Sequence, residues 1–85
     1  MIENKVLVTI NVPYLEDRYD VYIPVNRKVY SVIRMLVKTL HTISHGSFDE
    51  KKQYVLYNEV NGDMYDMNTL IRDTDIRNGS TIILL

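Results

Sequence analysis

Val29, Val32, Ile33, Leu36, Val37, Leu40 and Ile43 fall at i, i+3, i+4, i+7, i+8, i+11 and i+14. That spacing places all of them on one stripe of an α-helix of about four turns. A helix that is apolar on one side cannot bury itself, so it demands an apolar surface from elsewhere in the chain. Asn26 is positioned to cap its N-terminus, and Gly46 to take the left-handed C′ position. A chain of 85 residues must commit most of its apolar side chains to a single core, so residues 1–85 read as one domain.

The surface the helix needs comes from segments of period two. Val6, Val8, Ile10 and Val12 alternate with Leu7, Thr9 and Asn11 until Pro13 stops the run. After a polar turn at Glu16, Asp17 and Arg18, a second run sets Tyr19, Val21 and Ile23 against Asp20 and Tyr22. Pro24 ends it, because proline has no amide to give the ladder. The short polar loop between the two runs makes them an antiparallel hairpin. Beyond the helix, Ser47 and Glu50 have capping-box spacing and predict a short helical turn. Residues 53–57 predict a third strand, Asn61-Gly62 a tight turn, and residues 64–66 a short fourth strand. Residues 68–75 read as a polar crossing pinned by Leu70 and Ile71, and 81–85 as an apolar central strand after an Asn78-Gly79 turn. The order β-β-α-β-β-β is that of an α+β β-grasp: a mixed five-stranded sheet, order 2-1-5-3-4, packed on one α-helix.

Composition excludes several classes. A formal net charge of -1 lacks the basic excess of a nucleic-acid binder. There is no cysteine, hence neither a disulfide nor thiol chemistry. No apolar run approaches the roughly 20 residues that cross a bilayer, and the N-terminus lacks the form of a signal peptide. The expectation is a cytoplasmic protein that neither inserts in membranes nor carries a cofactor. His41 and His45 stand at i and i+4, but without further ligands that spacing is weak for a metal, and histidine also suits a helix C-terminus. Asp73 to Gly79 lacks the ligand register of a calcium loop. Ser31, Ser44, Ser47 and Ser80 have no histidine and acid at triad spacing, and no glycine-rich loop cradles a phosphate. The chain does not read as an enzyme.

Thr69-Leu70, Asp73, Ile76 and Asn78-Gly79-Ser80-Thr81-Ile82-Ile83-Leu84 resemble the closing segment of ubiquitin-like proteins. The spacing of Ile23, Val29, Val32 and Leu36 resembles the strand-to-helix passage of the same superfold. Within it, the length and the ending Leu70-Ile71-x-Asp73-x-x-Ile76-x-Asn78-Gly79 before an apolar strand look most like the YukD/EsaB family. That resemblance implies a small cytosolic accessory or regulatory component of a bacterial type VII (WXG-protein) secretion system. Conjugated members and sulfur carriers of the superfold end in a flexible Gly-Gly, whereas no glycine follows Gly79 here. The expectation is therefore a non-conjugated module, with a truncated sulfur carrier or modifier and a small RNA-binding regulator as the rival readings.

Two surfaces are candidate protein-binding sites. Strand alternation turns Leu7, Tyr22, Val55, Tyr57, Ile83 and Leu85 away from the helix, and the β-grasp order makes them neighbours. A contiguous apolar patch there marks an interface with a partner or with a second copy. The other surface is basic: residues 21–48 contain no acid, and Arg27, Arg34 and Lys38 fall opposite the apolar stripe. Like charges without intrahelical counterions cost helix stability, which points to an acidic protein partner. With Lys28 there are four cations in this region, and without interleaved aromatics on that face they make too small a footprint for RNA.

Overall fold

The computed structural model describes residues 4–85. Strand β1 is Lys5–Val12, and Pro13 opens a 3₁₀ turn, Pro13–Leu15, that closes on Glu16 at φ 53°. Strand β2, Asp17–Pro24, returns antiparallel in unbroken register from Val12↔Asp17 to Lys5↔Pro24. Helix α1 is Val29–Ile43 and buries Val29, Val32, Ile33, Leu36, Val37 and Leu40. Ile43, the last residue of the stripe, stays 49% exposed because the helix ends at it.

Both helix ends depart from expectation for a physical reason. The N-cap is Lys28, not Asn26, and no side chain caps it. The first amides are satisfied by the distant crossing instead: Val29 N–H donates to Thr69 O at 2.9 Å and Tyr30 N–H to Met67 O at 3.1 Å. A capping side chain has nothing left to do. At the C-terminus the left-handed turn begins one residue early, with His45 at φ 54° ahead of Gly46 at φ 86°. The predicted helical turn after it does not form. Ser44 Oγ takes the Phe48 amide at 2.9 Å and Asp49 Oδ1 the Lys51 amide at 2.8 Å, so side chains capture the amides that a turn would have used.

Among the described residues the sheet has four strands, not five. Strand β3 is Leu56–Asn58 and β4 is Thr81–Leu84, and the order is β2-β1-β4-β3 in place of 2-1-5-3-4. The central pair β1–β4 is parallel (Thr9↔Thr81, Ile10↔Ile82, Asn11↔Ile83) and the rest are antiparallel. Residues 64–66 supply one bridge, Tyr57↔Met64, rather than a strand. Asn58 and Asp66 explain why. Asn58 Oδ1 captures the amide of Val60, and Asp66 Oδ1 that of Asn68, so the chain turns away on both sides of the bridge.

Val8, Ile10, Val12, Ile23, Leu56, Ile82 and Leu84 face the helix and are fully buried. Ile71, in a 3₁₀ turn at Ile71–Asp73, and Ile76 seal one end of the core, and Phe48 with Tyr54 seals another.

Candidate functional surfaces

Alternation puts the predicted residues on the outer sheet face, but the face is not one apolar patch. Leu7 and Tyr22 are direct cross-strand partners, 39% and 52% exposed. Tyr57 pairs with Ile83, and Val55 exchanges both backbone hydrogen bonds with Leu85 at 2.7 and 3.0 Å. These four form a second cluster, with Leu85 53% exposed and the others half-buried. A polar band separates the two clusters. Thr9 donates to Asp20 at 2.8 Å, and Asn11 stands opposite both Arg18 and Ile83. The polar residues at 9, 11, 18 and 20 break what the apolar count suggested was continuous.

One ion pair crosses this face. Arg18 on β2 meets Glu59, just beyond β3, through two hydrogen bonds of 2.7 and 3.1 Å. β2 and β3 are the two edges of the sheet, about 14 Å apart at ordinary strand spacing. The two side chains therefore meet above β1 and β4. The guanidinium holds the Glu59 carboxyl below the usual carboxylate range, and the carboxylate raises Arg18 further. A depressed folded-state value contributes stability above the unfolded carboxylate pKa and loses it as pH falls through the folded one. Glu59→Gln should accordingly lower the melting temperature slightly at neutral pH, with the difference from the parent vanishing in acid. The effect is small because the pair is solvated. A difference that grew as pH fell would contradict this linkage.

The basic residues separate. Arg27 sits in the turn before α1, where its carbonyl accepts the Ile71 amide at 2.9 Å. Arg34 and Lys38 lie on α1 itself and stand beside Ile33 and Val37 on the rim of a groove of about 610 Å³, rather than on a face remote from the apolar stripe. The opposite wall of that groove is residues 50–55, and Tyr30 and Met67 complete it. Sequence reasoning missed this groove, although Lys51-Lys52 before an apolar Tyr54-Val55-Leu56 run was a visible signal.

His41 serves the fold. A carbonyl can only accept, so the 2.7 Å contact of His41 Nδ1 with Phe48 O places the proton on Nδ1. Its Nε2 lies 3.8 Å from Glu50 Oε1. No cluster of metal-ligating side chains occurs among the described residues, and no helix there is long and apolar enough to cross a membrane.

No protein-family model and no curated protein sequence matches the chain. Solved structures do. The EccD5 ubiquitin-like domain from Mycobacterium xenopi superposes with a TM-score of 0.78 at 15% identity, over 98% of this chain and 95% of that one. The ubiquitin-like domain of the Mycobacterium tuberculosis type VII secretion protein ECCD1 gives 0.75 at 16% identity, over 98% and 99%. A chain of the toluene 4-monooxygenase HD complex gives 0.74 at 9% identity, over 94% and 95%. Identities this low carry architecture and leave function to be argued from the surface. The chain has the ubiquitin-like β-grasp fold, with one helix on a mixed sheet.

Proposed function

We propose that this chain is a non-catalytic protein-binding module of the YukD/EsaB kind, a cytosolic accessory or regulatory component of a type VII secretion machinery. The observation that carries the binding reading is the cluster Val55, Tyr57, Ile83 and Leu85. It joins two cross-strand pairs on the open side of the sheet, where these side chains have no share in the helix-facing core. Tyrosine beside aliphatic side chains is the composition of an interface centre, and the polar band with its Arg18–Glu59 pair is the expected rim. A neighbour of known structure named as the ubiquitin-like domain of the type VII secretion system protein ECCD1 supports the secretion assignment, and it and the EccD5 ubiquitin-like domain span almost the same length of fold.

The test is titration of the protein against the purified cytosolic part of a type VII secretion membrane complex. Tyr57→Lys combined with Ile83→Lys should weaken binding by about tenfold or more, since charged ends would be driven into a desolvated centre. Circular dichroism should show an intact fold, because both side chains point away from the core. Unchanged affinity would remove this cluster as the site. A concentration-dependent dimer that the same variant dissolves would identify a second copy as the occupant.

A further inference from the structure

The groove beside α1 has a built asymmetry that the sheet face lacks. Its floor is apolar: Ile33, Val37 and Tyr54 are almost fully buried, and Met67 packs against the core. Its rim carries four cations, Arg34, Lys38, Lys51 and Lys52, against the single carboxylate of Glu50, which lies within 3.8 Å of His41 Nε2. From Tyr30 to Lys38 the helical wall runs about 12 Å, the length of about four extended residues.

An open stretch of backbone, just before β3 begins, lies along the other wall. Val55 turns its N–H and C=O to Leu85, so alternation turns those of Tyr54 the opposite way. Among the described residues neither Tyr54 backbone group has a backbone partner. One position further, the Leu56 carbonyl is taken by Tyr65 N–H at 2.9 Å, which limits the open edge to Tyr54 and the residues before it. The other sheet edge, β2, is also open but has no groove of comparable size beside it. The hollow between β2 and α1, lined by Ile10, Tyr19, Val21, Leu36, Thr39, Leu40 and Ile43, holds about 40 Å³ and has no charged lining residue.

We infer that the groove between α1 and residues 50–55 receives an extended acidic segment of a partner protein, paired along the open Tyr54 backbone as a short strand. Its apolar side chains would fill the floor, and its flanking carboxylates would meet Arg34, Lys38, Lys51 and Lys52. Main-chain bonds give such a mode its affinity, and the charges give it polarity and specificity. The inference rests on the protein-binding reading above but uses a different surface, so the two fail separately.

The experiment is an amide-resolved NMR titration with a synthetic peptide, a valine and isoleucine run flanked by aspartates. Shifts should concentrate at Ile33, Arg34, Val37 and residues 51–55. Arg34→Glu with Lys38→Glu should weaken binding about tenfold or more, and added salt should weaken it further. N-methylation of alternate peptide amides should abolish it, because the edge would lose its main-chain partner. The Tyr57→Lys, Ile83→Lys variant should bind the peptide unchanged. Failure to bind, equal binding of a lysine-flanked peptide, or shifts centred on Tyr19, Val21 and Leu40 would overturn the proposal. So would sedimentation showing the groove filled by a second copy of the chain. Peptide binding alongside a silent sheet face would instead overturn the sheet-face site alone.

Discussion

Phe48→Ala is expected to cost about 3–5 kcal/mol, a large part of the roughly 5–15 kcal/mol that holds a small domain together. Phe48 lies outside every regular element, yet its ring is fully buried. It stacks on Tyr54 at 4.7 Å between centroids, 20° from parallel, and meets Tyr14 edge-on at 5.8 Å. Aromatic pairs of these geometries add about 0.5–1.5 kcal/mol to the area they bury. The backbone of the same residue is fixed twice, its N–H by Ser44 Oγ at 2.9 Å and its C=O by His41 Nδ1 at 2.7 Å. Those bonds survive the truncation, so the loop should keep its path and leave a cavity behind it. Urea unfolding measures the loss. Tyr54 provides a local readout: burial first, then the Asp49 carboxylate, raises its phenol above the ordinary value. In the variant that titration should move back down as water enters. A loss under about 1 kcal/mol would mean that the ring is not part of the core.

Which features the sequence revealed follows from which forces act locally. The stripe from Val29 to Leu40 and the alternation of Val8, Ile10 and Val12 are burial patterns, and burial dominates folding, so both appear in the structure as read. The fourth strand failed because period-two reasoning over residues 64–66 ignored Asn58 and Asp66, whose side chains bind amides at short range. The missing N-cap failed for the opposite reason. Its substitute, the carbonyls of Met67 and Thr69, lies some forty positions away and has no sequence signature beside the helix. The outer face was legible residue by residue but not in its layout. All six positions point outward as read, yet the strand register sets Thr9, Asn11, Arg18 and Asp20 between them. The groove needed tertiary structure outright, since Arg34 and Lys38 meet Lys51 and Lys52 only when the chain after Phe48 folds back along the helix.

Ile82 and Ile83 are chemically identical neighbours, and replacing each with alanine should give clearly unequal losses of stability. Ile82 is fully buried, paired with Ile10 across the parallel ladder and with Asn58 across the antiparallel one. Its truncation leaves a hole at the centre of the sheet and should cost about 2–5 kcal/mol. It should also slow folding, because the β1–β4 pairing joins the most distant parts of the chain and must close before it is rewarded. Ile83 faces outward beside Tyr57 and Asn11, half-buried, so its truncation should cost about 1 kcal/mol. A strand slipped by one residue would exchange the two values, which makes the pair a direct test of register. The same contrast bears on function. If Ile83→Ala spares stability yet weakens partner binding, the outward isoleucine contributes chiefly to recognition, and the last strand has a different task on each face. Equal losses in both assays would show that its apolar character serves the fold alone, and the sheet-face interface would lose its centre.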